Sequence, residues 1–125
     1  MRRLLLTLPA AVIAALASAA PAMAAVPTAD YSLYNSDTSF MITVVTNPSN
    51  YGVQAEARCV LPDPQGYAYY YGPWVFSPGA VSVVNTPCDA NFNHGSLDHG
   101  YFRYKKSAPI RVTCWYYGLP RNGSC

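Results

Sequence analysis

The strongest constraint on this chain is the strict alternation of residue type along the segment 53–61. Small or apolar residues occupy the odd positions, and Gln54, Glu56 and Arg58 occupy even ones. Successive side chains of a β-strand point to opposite sides, whereas a helix requires a period near 3.6. The segment is therefore predicted to be a half-buried strand with Cys59 facing inward.

The remainder of the chain carries the same kind of pattern. Along 110–117, inward positions alternate with an outward set made up of Arg111, Thr113, Trp115 and Tyr117. Four further segments are rich in β-branched and aromatic residues, at 40–46, 67–76, 80–85 and 101–105. Turns rich in Pro, Gly and Asn separate them, and no stretch has helical periodicity. The predicted fold class is all-β, a small antiparallel β-sandwich of about six strands.

The N-terminal residues have the layout of an export signal. Arg2 and Arg3 precede an apolar, Ala-rich run, and Ala22-Met23-Ala24 is a small-residue cleavage site. No second long apolar run follows, which predicts a secreted protein, extracellular or periplasmic, without a membrane span. The Ala-rich signal indicates a bacterial source. We expect three regions: a signal peptide at 1–24, an N-terminal arm or edge strand at 25–38 and a single β domain at 39–125.

Removal of the signal changes the charge balance. Two of the eight basic residues lie in the signal, so six remain against six acidic residues and the expected net charge is zero. A neutral domain gives no general reason to expect nucleic acid or an anionic membrane as partner. The basic residues are nevertheless clustered, at Arg103, Lys105, Lys106 and Arg111. We interpret this cluster as the solvated, basic end of a strand.

The four cysteines predict disulfides. In an exported chain Cys59, Cys88, Cys114 and Cys125 read as two bridges, and no Cys-x-x-Cys spacing favours zinc instead. Four cysteines allow about three connectivities, and all of them are open. The sequence leans to Cys59 with Cys88 and Cys114 with Cys125, because a turn near residues 118–120 would return the C-terminal tail to its own strand.

Two short motifs resemble strands of bacterial immunoglobulin-like domains. The segment Ile42-Thr-Val-Val-Thr-Asn-Pro-Ser49 is a strand followed by an Asn-rich turn, and Phe76-Ser-Pro-Gly-Ala-Val-Ser-Val-Val84 is a Pro-Gly turn followed by a strand. Cys59, Trp74 and Cys114 also follow the Cys, Trp, Cys order of immunoglobulin domains. The resemblance implies a two-sheet sandwich and no particular activity, because such domains have many functions.

Both histidines of the chain lie in the segment 89–100. The segment begins like a calcium loop, with acceptors alternating at Asp89, Asn91 and Asn93. The positions for the required Gly and Glu hold His94 and Gly100 instead. His94, Asp98 and His99 suggest zinc, copper or acid–base catalysis, yet no further ligand or nucleophile accompanies them. We interpret the segment as a turn leading into the next strand, and expect no metal, no cofactor and no catalytic residue.

The richest candidate for a binding site is aromatic. Strand alternation puts the tyrosines at positions 67, 69 and 71 on one side, and an arginine lies on the outward side of the strand 110–117. Aromatic side chains with polar tips suit a protein interface or a sugar ring. Ordinary β packing is the alternative, since tyrosine is a common strand residue. The predicted binding residues are Tyr67, Tyr69, Tyr71, Trp74, Arg111, Trp115 and Tyr117.

These observations favour a binding module over an enzyme. No Ser lies in a Gly-x-Ser-x-Gly motif, the cysteines are expected to be oxidised, and the single glutamate, Glu56, is mid-strand. The first hypothesis is recognition of an extracellular protein, as an inhibitor or a small adaptor subunit of a secreted complex. Carbohydrate or cell-wall binding through the same aromatics is the alternative. A small metal- or His-dependent hydrolase comes third.

Overall fold

The computed structural model describes residues 25–88, 95–117 and 120–125. Within these ranges the chain forms no helix and eight strands, β1 (Thr28–Tyr34), β2 (Ser39–Thr46), β3 (Val53–Val60), β4 (Tyr67–Val75), β5 (Val81–Asn85), β6 (Ser96–Tyr104), β7 (Ile110–Tyr116) and β8 (Asn122–Ser124). The predicted signal peptide lies outside the described residues. No described helix is long and apolar enough to cross a membrane.

The strands form two antiparallel sheets of four strands each. The first sheet has the order β5-β2-β1-β8, and the second has the order β4-β3-β6-β7. The prediction of an all-β fold with two antiparallel sheets is confirmed.

The two sheets contribute to one hydrophobic core. On β3, Val53, Ala55, Ala57 and Cys59 are fully buried, as the alternation in the sequence predicts. They belong to the same cluster as the buried side chains of the first sheet, among them Phe40, Ile42, Val44 and Val84. Burial of each large apolar side chain contributes about 1.5–3 kcal/mol to folding. The core therefore fixes which side of β3 faces solvent.

Both disulfides join one sheet to the other. Cys59 on β3 is bonded to Cys88, which follows β5, and Cys114 on β7 is bonded to Cys125, which follows β8. This is the pairing that the sequence favours. Cys59 and Cys114 therefore belong to different disulfides, so the Cys, Trp, Cys order of immunoglobulin domains does not correspond to a disulfide in this chain.

A buried serine makes a further link between the sheets where β4 bulges. The register of β4 against β3 shifts opposite Ala55, leaving Gly72 and Pro73 out of the regular ladder. The Ala55 amide donates to Ser82 Oγ at 3.1 Å, and the Ser82 hydroxyl donates to the Pro73 carbonyl at 2.6 Å. Ser82 thus satisfies backbone groups that the bulge leaves unpaired. The extra residue also returns Trp74 to the solvent side of β4.

The N-terminal segment corrects one expectation. Residues 25–38 were expected to form a loose arm or an edge strand, but they contain β1, which lies between β2 and β8. The reason is that Ala29, Tyr31 and Leu33 alternate into the core. The Tyr31 hydroxyl also donates to the Pro120 carbonyl at 3.1 Å, which ties the C-terminal segment to the first sheet.

Candidate binding face on the second sheet

The outer face of the second sheet carries a contiguous set of aromatic and charged side chains. Cross-strand register sets them in rows, of which one contains Tyr69, Arg58, His99 and Tyr116 and the next contains Tyr71, Glu56 and Tyr101. We call this surface the arginine–tyrosine face, and its members are Glu56, Arg58, Tyr67, Tyr69, Tyr71, Trp74, Asp98, His99, Tyr101, Arg103, Arg111 and Tyr116.

A buried carboxylate lies at the centre of the face. Glu56 is on the solvent side of β3, yet its side chain is 0% exposed because two guanidinium groups cover it. Arg111 donates to both carboxylate oxygens, with Nε 3.0 Å from Oε2, and Arg103 Nε lies 3.9 Å from Oε2. Burial disfavours the charged form of Arg111, but the hydrogen bonds and charge of Glu56 outweigh it and raise the pKa of Arg111.

A second ion pair stands beside the first. Arg58 donates from Nε and Nη2 to the two oxygens of Asp98, at 3.0 and 2.6 Å. Its Nη2 also lies 2.6 Å from His99 Nδ1. A register shift on β6 places Asp98 and His99 together opposite Arg58. The Asp98 hydrogen bonds raise the pKa of Arg58, so this guanidinium is charged at any physiological pH.

The arginines lie over the aromatic rings. The guanidinium carbon of Arg58 is 4.2 Å from the ring centre of Tyr67, and that of Arg103 is 5.1 Å from the ring centre of Tyr71. Arg111 is 5.2 Å from the ring centre of Tyr69. Cation–π contacts of this kind contribute about 0.5–1 kcal/mol each at exposed sites. The ion pairs and rings therefore restrain one another in a single network of contacts across the four strands.

One tyrosine lies within this network of contacts. Tyr101 on β6 is buried, with the guanidinium carbon of Arg111 4.9 Å from its ring centre and a stacked contact to His99. Burial raises the pKa of the Tyr101 phenol, so the ring stays neutral at physiological pH. The tyrosines around it are 40–55% exposed, namely Tyr67, Tyr69, Tyr71 and Tyr116. The face thus presents exposed rings over a fixed base.

The charges of the face are arranged in two levels. The carboxylates are at the base, since the side chains of Glu56 and Asp98 are 0% and 11% exposed. The guanidinium of Arg111 lies above them, on a side chain that is 46% exposed. A molecule approaching from solvent therefore meets positive charge first, and the two carboxylates at the base balance two of the three arginines.

The sequence-predicted binding residues fall into two groups. Tyr67, Tyr69, Tyr71, Trp74 and Arg111 all lie on the arginine–tyrosine face, the three tyrosines with exposed side chains. The remaining two residues, Trp115 and Tyr117, lie elsewhere.

The expectation that Trp115 faces outward is wrong. Trp115 is 5% exposed and belongs to the hydrophobic core. The register of β7 against β6 shifts between Thr113 and Trp115, so the extra residue, Cys114, reverses the alternation of the strand. Tyr116, and not Trp115, joins His99 on the outer face. Tyr117 is 72% exposed but lies just beyond the end of β7.

The structure describes the second half of the histidine-containing segment 89–100. Asp89, Asn91, Asn93 and His94 lie outside the described residues. The second half, interpreted as a turn, is instead the start of β6, which begins at Ser96. Among the described residues, no group of three His, Cys, Asp or Glu side chains is placed to hold a metal ion.

The most buried members of the face were not identified as site residues from sequence. The alternation of the sequence places Glu56 and Arg58 on the polar side of their strand, and this was the sequence signal that could have pointed to them. Arg103, Arg111 and Tyr101 also share an outward parity on neighbouring strands. What the sequence lacks is the register that brings Arg111 to Glu56, a residue 55 positions away.

Replacement of Glu56 by glutamine should destabilise the domain. Breaking a buried ion pair costs about 3–5 kcal/mol, but Arg111 is half exposed and regains water, so we expect a loss of about 2 kcal/mol. Thermal unfolding measures it, since each kcal/mol corresponds to roughly 4–8 °C in a domain of this size. The matched control is Asp63→Asn in the exposed turn between β3 and β4, expected within about 0.5 kcal/mol of wild type. Equal melting temperatures for the two variants would contradict the role of Glu56.

Comparison with known proteins gives no family for this chain. No protein-family model matches the sequence, and no curated protein and no solved structure is significantly similar to it.

Proposed function

We propose that the protein is a secreted binding module that recognises another protein through the arginine–tyrosine face. Two disulfides among the described residues fit an oxidising compartment, extracellular or periplasmic. The signal-like segment at 1–24 supports export, and its Ala-rich composition supports a bacterial source.

We also propose an immunoglobulin-like architecture. If β1, β2 and β5 correspond to strands A, B and E, and β4, β3, β6 and β7 to strands C′, C, F and G, the neighbours in both sheets follow the immunoglobulin order. β8 is then an addition beside β1. This likeness supports a scaffold role for the sandwich, and the function depends on the side chains that the scaffold presents.

The observation that carries the proposal is the composition and rigidity of the face. Tyr, Trp and Arg are the residues that most often dominate the energy of protein interfaces. Here Tyr69, Tyr71 and Arg111 are exposed at neighbouring positions, and each is restrained by a cation–π contact or an ion pair. Side chains that are already ordered lose little entropy on binding, which favours affinity.

The same contacts favour a protein over a sugar as the ligand. A sugar stacks on one of the two faces of an aromatic ring, so a cation that covers one face halves the surface open to stacking. Guanidinium groups cover one side of Tyr67, Tyr69 and Tyr71, at 4.2–5.2 Å from the ring centres. The exposed hydroxyls and ring edges remain available, and these groups suit the mixed polar and apolar surface of a protein partner.

Affinity capture tests the proposal. Tagged mature protein is incubated with the culture medium and envelope fraction of the producing organism, and captured proteins are identified by mass spectrometry. We expect one stoichiometric partner whose affinity falls at least tenfold, about 1.4 kcal/mol, with Tyr69→Ala/Tyr71→Ala.

The matched control truncates two exposed residues on the first sheet, Val45→Ala/Val81→Ala, and should capture the partner as wild type does. Equal capture by both double variants would contradict the proposed face. If no variant captures a protein, while a glycan array gives binding that depends on Tyr69 and Tyr71, the carbohydrate alternative replaces this proposal.

A further inference from the structure

Charge on the arginine–tyrosine face is unbalanced at one end. Arg103 and Arg111 share a single carboxylate, Glu56, whereas Arg58 has its own partner in Asp98. Within the described part of the chain, one positive charge near Arg103 and Arg111 therefore has no counter-charge. This end of the face borders the β6–β7 turn.

The same turn adds positive charge. Lys105 and Lys106 follow β6 directly, and Lys105 Nζ lies 5.4 Å from the ring centre of Tyr51. No carboxylate lies in the turn itself, whose residues run from 105 to 109. The excess charge of the face thus continues into a basic edge, which matches the clustering of basic residues in the sequence.

Arg111 has donors left for a ligand. In its hydrogen bonds to the described residues it uses Nε and Nη2, both for Glu56, which leaves Nη1 as a donor for another group. Its side chain is 46% exposed, and its position is fixed by Glu56 below and by the rings of Tyr69 and Tyr101. A guanidinium fixed in this way binds a carboxylate with little further loss of conformational freedom.

We infer that the protein partner presents an acidic surface to this end of the face, with an aspartate or glutamate carboxylate bound to Arg111. The inference rests on the proposed function and deepens it by giving the chemistry of the partner. An incoming carboxylate would bring the pair of arginines and Glu56 to neutrality, and the exposed Tyr69 ring and hydroxyl would contact the atoms around it.

A polyanion fits these observations less well than an acidic protein. Nucleic acids gain affinity by releasing counterions at many phosphate contacts, which requires a long row of uncompensated cations. Here Arg58 is neutralised by Asp98, and only the Arg103–Arg111 end and the adjoining lysines carry excess charge. One or two carboxylates on a folded partner suffice to neutralise the excess on the face.

The test is an NMR titration of the isotope-labelled mature domain, with backbone amides and arginine Nε groups observed. The probe is a short peptide of alternating glutamate and serine, and its matched control has glutamine for glutamate. We expect saturable shifts of Arg111 Nε and the Tyr69 amide with the glutamate peptide. The glutamine peptide should bind at least tenfold more weakly, and salt should weaken the glutamate complex.

One variant separates the guanidinium geometry of Arg111 from its charge, and a second serves as the control. Arg111→Lys keeps the positive charge over Glu56 but removes the guanidinium and its Nη1 donor, and should weaken binding at least threefold, about 0.65 kcal/mol. Arg121→Gln is the control, because Arg121 is exposed and pairs with Asp37 away from this face. It should bind as wild type does. The amide spectrum of each variant reports whether the fold is intact.

Three outcomes would overturn the inference: no shift at Arg111, shifts spread equally over Arg121 and the lysines, or tighter binding of a heparin oligosaccharide or a DNA oligonucleotide at the same face. If partner capture depends on Tyr69 and Tyr71 while the peptide fails, the face binds protein by other chemistry and only this inference falls. Peptide binding at Arg111 with capture unaffected by the tyrosine variants would overturn the proposed function and keep the carboxylate preference.

Discussion

Replacement of both Cys59 and Cys88 by alanine lowers the free energy of unfolding by about 3.5 kcal/mol, as expected for closure of a loop spanning 29 residues. The bond joins the end of β3 in the second sheet to the segment that follows β5 of the first, and the loop that it closes contains all of β4 and β5. Without the bond the unfolded chain has more conformational entropy, which folding must then remove. Both sulfur-bearing side chains are fully buried, and alanine avoids introducing an unpaired hydroxyl.

The second disulfide gives an internal comparison. Cys114→Ala/Cys125→Ala opens a loop of only 11 residues, for which the same relation gives about 2.8 kcal/mol. Urea unfolding monitored by tyrosine and tryptophan fluorescence measures both losses under one set of conditions. A larger loss for the 114–125 pair than for the 59–88 pair would contradict the argument from loop length.

Replacement of Gly100 by alanine lowers stability by about 3 kcal/mol, the upper end of the usual range for an overpacked core. Gly100 lies on β6 opposite Ala57 and Trp115, with the core on its inner side. A methyl group there would overlap the ring of Phe40, which is fully buried on the opposite sheet. The backbone at Gly100 is not in the left-handed region, so the expected loss arises from packing alone.

A double-mutant cycle isolates this contact. Phe40→Leu shortens the side chain that the new methyl meets, so Gly100→Ala should cost much less in the Phe40→Leu background than in wild type. We expect a coupling energy of about 1–2 kcal/mol from thermal or urea unfolding. Additive effects of the two substitutions would show that Gly100 is not in contact with Phe40. The result also matters for the face, because Gly100 separates His99 from Tyr101 on β6.

The sequence predicts the architecture well where the alternation is regular. On β3 the residues at 53, 55, 57 and 59 are buried as expected, although Gln54 and Glu56 are buried too, and the tyrosines at 67, 69 and 71 share one side of β4. The observed disulfide pairing is the favoured one because a turn near residues 118–120 would bring Cys125 back to Cys114, which leaves Cys59 with Cys88. These features depend on local periodicity and short loops, which the sequence carries directly.

Bulges explain why some side chains lie on the opposite side of the sheet from the one predicted. At Cys114 one extra residue reverses the alternation and moves Trp115 from the outer face into the core. On β6 the residues Asp98, His99 and Gly100 have turn chemistry, yet they form a strand, because Asp98 finds Arg58 across the sheet and Gly100 allows Phe40 to approach. A bulge leaves no mark in the local hydrophobic pattern, so its position depends on tertiary contacts.

Long-range contacts explain the part of the site that was missed. Glu56 occupies a polar position, which predicts exposure, and its full burial depends on Arg111 from a distant strand. β8 consists of Asn122, Gly123 and Ser124, with no apolar pattern to identify it. It forms because the backbone of the tail pairs with β1 and Cys125 is bonded to Cys114.

The most direct test of the arginine–tyrosine face as a protein interface is site-specific photo-crosslinking in the producing organism. The photoreactive p-benzoylphenylalanine replaces Tyr69 on this face or, in the control, Val81 on the first sheet, both of which are exposed. After irradiation the protein is purified and its adducts are sized and identified. The account predicts a single protein adduct from position 69 and none from position 81. An adduct from position 81 alone would contradict it.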